Sequence, residues 1–239
     1  MRPSTCTIAG FGQVGRALYG KLRMFPADFE VQAVVRRTCA YDGNLAPLAL
    51  TALPHTDLLF LCIPSSSDGE AERAFMVPYI GDGRCVVTCA KGAPANYPDY
   101  FAAHPSRFGL SATVGCMTDM VGFTRNVRKE TGQMPLELRA VLNGSLNFLA
   151  HRISQGVPRG VALLEAQTLG FTEPNNFDFD AVVGQEIGDA IKKSAILYHE
   201  AFYPHAQVTP ALITSLSEGK RSIQTAFAEP HQYRFVVQI

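Results

Sequence analysis

An acid and an amine stand at helical spacing within the stretch from Leu169 to Leu197. Asp189 and Lys193 are four residues apart on what the pattern predicts to be one helix, so they share a face. Glu173 precedes them in a predicted turn. Such a pair is either a solvated ion pair, which is the commoner arrangement, or a site of proton transfer. The residues alone leave both interpretations open.

The charges of the chain balance. Its 239 residues include 21 Lys plus Arg and 21 Asp plus Glu, and 47% of them are hydrophobic. This length and apolar content suffice for one large or two small domains with buried cores. Because the charge is balanced, nothing indicates nucleic acid or an anionic membrane surface as a partner, and we expect a small-molecule substrate.

The cysteines and the N-terminus indicate the compartment. Six cysteines are scattered through the first half of the chain without a CxxC pair. This is typical of reduced thiols in a cytosolic protein rather than of disulfides or zinc, and we expect no metal site. The N-terminal sequence lacks the apolar core of a signal peptide, and no apolar run is long enough to span a bilayer. The expected location is the cytoplasm.

Apolar strands and helices alternate over residues 1–117. The predicted strands are Thr5–Ala9, Val31–Val35, Asp57–Ile63, Cys85–Thr88 and Phe108–Val114. The predicted helices are one that ends near Pro26, then Pro47–Leu53, Gly69–Val77 and Tyr97–His104. Continuous apolar strands belong to parallel sheets covered on both faces. We therefore predict the α/β class, with a Rossmann-type doubly wound parallel sheet as a dinucleotide-binding domain over residues 1–117.

The organisation changes after residue 117, and residues 118–239 are predicted to form an α+β substrate-binding and dimerisation domain. Its predicted elements are helices over 118–131, Ser145–Ser154, 163–167, Gln185–Phe202 and Thr209–Ser217, and strands Leu136–Leu142 and Tyr233–Ile239. Ser145 is the predicted N-cap of its helix, whose first amides would receive a carboxylate. A small sheet with one helical layer leaves a face exposed, so we expect a homodimer.

A G-x-G-x-x-G motif lies between the first predicted strand and helix. In that context Gly10 permits a tight turn and Gly12 lets the backbone approach a pyrophosphate, while Gly15 allows close helix packing. Gln13 and Val14 begin the helix whose N-terminus faces the phosphate charge. The motif predicts a dinucleotide cofactor.

Residues beyond the other strands bear on the choice of cofactor. Arg36 and Arg37 follow the second strand, where an NAD-selective fold usually has an acid, and Glu30 lies at the opposite end. An arginine there can meet a 2′-phosphate, which favours NADP over NAD, although two solvated arginines remain the alternative. Pro64 and Lys91 follow the next two strands, at the edge where ligands of open α/β sheets bind.

Four passages are more specific together than the glycine motif alone. They are AGFGQVG at 9–15, VVTCAKGA at 86–93, VLNGSLNFLAHRI at 141–153, and EAQTLGFTE at 165–173 continued by GDAIKKSAIL at 188–197. In this order they resemble homoserine dehydrogenases. The resemblance implies an NAD(P)-dependent oxidoreductase that interconverts L-homoserine and L-aspartate 4-semialdehyde by hydride transfer, in the amino-acid biosynthesis of threonine and methionine.

The resemblance also implies roles for single residues. Lys193 would handle the hydroxyl proton, with Asp189 as its catalytic partner, and Glu173 would bind the substrate. The turn Gly144-Ser145 would line the substrate site. Lys91 matches a lysine of the nucleotide-binding domain that is implicated in binding or proton transfer.

The chain also departs from the family pattern. Ala90 and Phe171 stand where the family usually has asparagine and tyrosine, and the chain ends at Ile239, before the family's C-terminal return segment. We therefore expect a short member of the family. Two alternatives stay open, a nucleotide-binding homologue without turnover and a related amino-acid dehydrogenase, for example one acting on aspartate.

The connection between Glu173 and Asp189 is longer than the family pattern. A second substrate-site acid expected there has no clean match, and Asp178 or Asp180 is the candidate.

Overall fold

The computed structural model describes residues 2–115, 118–133, 137–172, 176–202, 210 and 237–238. The chain divides into two compact units, Met1–Met120 and Val121–Ile239. The predicted boundary, between residues 117 and 118, lies close to this division. The dinucleotide-binding and substrate-binding roles assigned to the two domains stay predictions at this point.

A seven-stranded sheet forms the described part of the first unit. Its strands are β1 (Ser4–Ala9), β2 (Phe29–Val35), β3 (Ala40–Asp42), β4 (Pro47–Leu48), β5 (Leu58–Leu61), β6 (Cys85–Thr88) and β7 (Phe108–Gly109). The strand order is β4-β3-β2-β1-β5-β6-β7, with β2, β1, β5, β6 and β7 parallel and the β3–β4 edge antiparallel. The chain leaves β1 towards β2 and later returns to its other side, so the predicted doubly wound α/β fold is confirmed.

The helices of this unit cover the sheet. They are α1 (Gln13–Leu22), α2 (Glu70–Gly81), α3 (Gly92–Asn96) and α4 (Pro98–Ala103). Tyr19 and Leu22 are three residues apart and share a face of α1, which packs against Cys6 and Ile8 of β1 and Val34 of β2. This packing fixes the start of α1 beside the end of β1.

The prediction of a helix over Pro47–Leu53 is wrong, because this segment begins with β4, the edge strand of a β-hairpin with β3. The Asp42 carboxylate accepts hydrogen bonds from the amides of Asn44 and Ala46, both at 2.9 Å, and so closes the turn between β3 and β4. A proline is tolerated in an edge strand because its missing N–H is not needed there. Only Leu50–Ala52 forms a single 3₁₀ turn.

Three other boundaries in this unit differ from the prediction. Helix α2 continues through Pro78 to Gly81, because a proline inside a helix removes one hydrogen bond without ending the last turn. The predicted helix Tyr97–His104 corresponds to α4, which begins at Pro98 and ends at Ala103, and the short helix α3 that precedes it was not predicted. The strand predicted to reach Val114 ends at Gly109, because the amide and hydroxyl of Thr113 both donate to the Leu110 carbonyl and close a turn.

The described part of the second unit is mainly helical. Its elements are α5 (Met120–Thr131), β8 (Arg139–Ala140), α6 (Gly144–Ser154), α7 (Arg159–Thr168), α8 (Phe179–Phe202) and β9 (Val237–Gln238). Strand β8 pairs antiparallel with β9, which lies within the predicted strand Tyr233–Ile239. The predicted helix Thr209–Ser217 lies outside the described residues except for Pro210.

A buried cluster joins three helices of this unit. Leu146 and Leu149 of α6 pack with Ala162 of α7 and with Val183 and Ile187 of α8. Full burial of one leucine side chain contributes roughly 1.5–3 kcal/mol, so this cluster holds α8 against the start of α6. Helices of the described part include none that is both long and apolar enough to cross a membrane.

Helix α8 begins at Phe179, earlier than the predicted start at Gln185. The Asp178 carboxylate accepts from the amide of Ala181 at 3.1 Å and so caps the first turn. Phe179 then joins the apolar stripe of the helix. Much of the connection that precedes Asp189 is therefore helical rather than a loop.

We expect Gly15→Ala to destabilise the first unit. A Cβ at Gly15 would lie 2.0 Å from the Gly10 carbonyl oxygen, so the turn or the helix must shift. The free energy of unfolding should fall by about 1–3 kcal/mol, as measured by urea denaturation followed by circular dichroism.

Gly20→Ala is the matched control in the same helix. Of the described atoms, none lies within 4 Å of a Cβ placed at Gly20. This substitution should therefore raise the free energy of unfolding by about 0.5–1 kcal/mol, since alanine favours helix over glycine. Equal effects of the two substitutions would contradict the close approach at Gly15.

Candidate functional site

The loop after β1 combines a strained turn with an open helix start. Gly10 has a φ of +94°, and a Cβ there would lie 2.4 Å from the Cys62 carbonyl oxygen, so only glycine fits. Gly12 is the N-cap of α1, and of the described atoms none lies within 4 Å of its Cβ position. The backbone at Gly12 is thus accessible, next to a helix N-terminus that favours a phosphate. These features fit a pyrophosphate.

The other predicted cofactor residues follow the neighbouring strands. Arg36 comes directly after β2, with an exposed side chain, and its amide donates to the Cys39 carbonyl at 2.8 Å. Pro64 follows β5 and is exposed, and Lys91 follows β6 and is partly buried. Strands β2, β1, β5 and β6 are adjacent and parallel, so these residues and the glycine turn all lie at the carboxyl ends of the strands.

A buried carboxylate joins two loops at this edge. Glu72 of α2 has no exposed surface. Its Oε1 accepts from the amides of Ser66 and Gly92, each at 3.0 Å, and its Oε2 accepts from the Ser66 hydroxyl. The Lys91 amide donates to the Ser65 hydroxyl at 2.8 Å. The backbone around Lys91 is therefore fixed on both sides.

Sequence reasoning missed Glu72. The sequence pattern that could have indicated it is the spacing of four residues that places Glu72 on the same helix face as the apolar Met76 and Ile80. A charged residue on the buried face of a helix needs hydrogen-bond donors, which here are supplied by the two loops.

The predicted pair on α8 is formed. The Lys193 ammonium lies 2.6 Å from Asp189 Oδ2 and donates to the Leu142 carbonyl at 2.9 Å. Only 17% of the Lys193 side chain and 28% of the Asp189 side chain are exposed, so this is not a solvated surface pair. The ammonium is held between α8 and the segment that leads into α6.

The start of α6 faces the same part of α8. Asn143, not the predicted Ser145, is the N-cap, because its extended backbone lets Oδ1 accept from the Leu146 amide at 2.8 Å. The Asn143 side-chain amide donates to Glu186 Oε2 at 2.6 Å. Ser145 lies inside the first turn, and its hydroxyl donates to the Phe171 carbonyl at 2.6 Å.

Glu186 is an acid that sequence reasoning also missed. It precedes Asp189 by three residues and Lys193 by seven, a spacing that places all three on one face of α8. The candidates named from sequence lie elsewhere. Asp178 caps α8, and the side chain of Asp180 is 78% exposed near Arg159. Glu186 is therefore the described acid beside the Lys193 pair.

The remaining predicted residues of this unit frame the turn. Gly144 is the first residue of α6 and is exposed. The Phe171 ring stacks on Phe148 with centroids 4.9 Å apart, and 46% of Phe171 is exposed. Glu173 lies outside the described residues. In the described ranges, no group of three or more His, Cys, Asp or Glu is placed to hold a metal ion.

Comparison with known proteins finds a similarity to homoserine dehydrogenases. Residues 126–239 match the family model described as homoserine dehydrogenase. A homoserine dehydrogenase of Pyrococcus horikoshii is 27% identical over 227 residues, a match that covers 80% of this chain and 67% of that protein. These matches support the homoserine dehydrogenase family for this chain. The family model spans the α6 turn and the face of α8 that carries Asp189 and Lys193.

Two solved homoserine dehydrogenases share the fold. One is a hyperthermophilic archaeal enzyme in complex with NADPH, which matches 99% of this chain and 78% of its own with a TM-score of 0.70 and 22% identity. The other, from Thermoplasma acidophilum, has the same coverage and TM-score with 18% identity. At these identities the matches show the fold alone.

We expect Glu72→Ala to destabilise the first unit strongly. It would leave the amides of Ser66 and Gly92 and the Ser66 hydroxyl buried without an acceptor. The free energy of unfolding should fall by about 3 kcal/mol or more, since each such group costs about 1–3 kcal/mol. Glu72→Gln keeps one acceptor oxygen and should lose less.

Glu70→Ala is the control for Glu72, because Glu70 lies on the same helix with an exposed side chain. Its loss should cost about 1 kcal/mol or less in the same urea titration. A comparable loss for both alanine variants would argue against the anchoring role of Glu72.

Substitution of Asn143 should separate the cap from the contact with Glu186. Asn143→Ala loses both and should lower the free energy of unfolding by about 1–2 kcal/mol at pH 5 and at pH 8. Asn143→Asp keeps the cap but places a carboxylate against that of Glu186, so its stability should be lower at pH 8 and recover towards pH 5, where one carboxyl is protonated. A pH-independent loss for Asn143→Asp would show that the two groups do not face each other.

Proposed function

We propose that this chain is an NAD(P)-dependent oxidoreductase acting on a CH–OH group, which interconverts L-homoserine and L-aspartate 4-semialdehyde. The observation that carries the proposal is the Lys193 ammonium bound to Asp189 and the Leu142 carbonyl inside the segment that matches the family. The reactions named for the relatives supply the substrate class.

Lys193 is proposed to move the hydroxyl proton. An ammonium has three donors, and two of them are directed at Asp189 and Leu142, so the third is available to a substrate oxygen. In alcohol oxidation, neutral Lys193 takes the hydroxyl proton, and in aldehyde reduction the ammonium returns it. Asp189 orients the side chain and stabilises the charged form.

The substrate carries an ammonium and a carboxylate, which call for opposite partners. We assign its ammonium to Glu173 and to Glu186, which lies beside Asn143 on the face of Lys193. Its carboxylate would be received at Gly144 and Ser145, where the first amides of α6 favour a negative charge.

The cofactor is proposed to bind at the carboxyl ends of the parallel strands of the seven-stranded sheet. A bound nicotinamide dinucleotide supplies the hydride acceptor or donor for this chemistry. Gly10, Gly12, Gly15 and the first residues of α1, Gln13 and Val14, would hold the pyrophosphate. Arg36 would meet a 2′-phosphate, which favours NADP over NAD, and the archaeal relatives were solved with NADPH. Pro64 and Lys91 would border the nicotinamide end.

A homodimer in the cytoplasm, acting in threonine and methionine biosynthesis, completes the proposal. Large apolar side chains remain exposed on and after α7, namely Val161, Leu164, Leu169, Phe171 and Phe177. Exposed apolar groups of this size are typical of interaction surfaces. Light scattering coupled to gel filtration would measure the mass of the assembly.

Activity measurements on Lys193 variants test the proposed function. The wild-type protein should reduce NADP or NAD when L-homoserine is added, and Lys193→Ala should lower kcat by about 10²–10⁴-fold. Lys193→Arg keeps the positive charge but cannot release its proton near neutral pH, so it should be similarly inactive. Lys192→Ala, at the preceding position of the helix, should stay within a few fold of wild type.

Three outcomes would contradict the proposal. Tight NADPH binding by calorimetry without turnover would indicate a binding protein. Consumption or release of ammonia with aspartate would indicate an amino-acid dehydrogenase. Full activity of Lys193→Ala would remove this residue from the proton transfer.

A further inference from the structure

Two cysteines lie side by side at the carboxyl edge of the sheet. Cys62 follows β5 and Cys89 follows β6, and the register of these parallel strands pairs Leu61 with Thr88. Cys62 and Cys89 are therefore the next neighbours across the two strands. Both side chains are partly buried, and neither is in a disulfide.

The environment activates one thiol of the pair. The neighbouring Cys62 thiol lowers the pKa of Cys89 to about 7, and the nearby Lys91 ammonium acts in the same direction, although burial opposes both. The neighbouring Cys89 and burial raise the pKa of Cys62 well above its usual value. Cys6, by contrast, is buried without such a partner, and burial raises its pKa to about 11. A thiolate is the reactive form of cysteine, so Cys89 is the more nucleophilic of the three.

We propose that Cys62 and Cys89 form an oxidation site, which a hydroperoxide converts into an intramolecular disulfide. Cys89 is the thiol that is oxidised first, and Cys62 is the thiol that then forms the disulfide with it. The proposal is independent of the reaction assigned to Lys193, because it concerns only the first unit and needs no turnover.

The oxidation proceeds in two balanced steps. The Cys89 thiolate attacks one peroxide oxygen, the O–O bond breaks, and Cys89 becomes a sulfenic acid while hydroxide leaves and takes a proton to form water. The Cys62 sulfur then attacks the Cys89 sulfur, the S–O bond breaks, and a second water leaves with the Cys62 proton. The two thiols lose two electrons in total, and the peroxide gains them.

The strand geometry permits the product. Neighbouring strands are about 4.8 Å apart, which lies within the range of about 4.4–6.8 Å between the Cα atoms of disulfide-bonded cysteines. The Cys62 carbonyl also contacts the Gly10 turn, and Cys89 is two residues from Lys91. The disulfide would therefore connect the loop beside the Gly10 turn with the loop that carries Lys91, and both loops belong to the proposed cofactor site.

Peptide mapping of the oxidised protein tests the proposal. After treatment of the full chain with hydrogen peroxide at pH 7, intact mass spectrometry should show the loss of two hydrogens, and the map should show a Cys62–Cys89 link. In Cys62→Ser, dimedone should trap a sulfenic acid at Cys89. In Cys89→Ser, Cys62 should remain a thiol, whereas Cys85→Ser should form the link as the wild type does.

Competition among the cysteines gives a second readout. Iodoacetamide should modify Cys89 before Cys6, with a rate that rises as the pH passes through about 7, because the thiolate accumulates above the pKa of Cys89. The proposal is overturned if the wild-type map shows no Cys62–Cys89 link under peroxide, or if Cys39 or Cys85 is oxidised first. These outcomes are read on the wild-type protein, so they hold even where a variant fails to fold.

Discussion

The ammonium of Lys193 is the group on which the proposed chemistry of the second unit depends. A positive charge with little solvent contact is costly unless it is paired and hydrogen-bonded. Here the Asp189 carboxylate supplies the opposite charge, and the Leu142 carbonyl is a second acceptor. Since Leu142 precedes the α6 turn and Asp189 lies on α8, the ammonium fixes two separate segments against each other. The apolar cluster of α6, α7 and α8 then excludes water from the other side of the same helix.

A comparable arrangement organises the sheet edge of the first unit, with a negative charge in place of the positive one. Glu72 accepts from two loops that follow neighbouring strands, and these loops carry Ser66 and Gly92. In each unit one charged side chain with little or no exposed surface binds a nearby partner and also a backbone group of a segment distant in sequence. Such charges stabilise one arrangement of the loops, because any other would leave the charge without partners.

The parts that could be predicted from sequence are those set by local spacing. The glycine motif between β1 and α1, the apolar strands β5 and β6, and the pairing of Asp189 with Lys193 each follow from the period of a strand or a helix. Glu72, Asn143 and Glu186 also bind partners 20 to 43 residues away, and a local pattern can mark the position of such a residue on its helix but not its distant partner. The hairpin that replaced the helix at Pro47 was set by the Asp42 side chain, a turn signal stronger than the helical spacing beside it.

The position of the acidic and basic residues along α8 has a consequence for their motion. This helix runs from Phe179 to Phe202, so at 1.5 Å per residue it is about 36 Å long, and Glu186 to Lys193 lie at its centre. Helices open from their ends, where amides exchange with solvent most readily. The residues proposed to bind and deprotonate the substrate are thus as far from both fraying ends as the helix allows, and their relative positions are kept while either end unwinds.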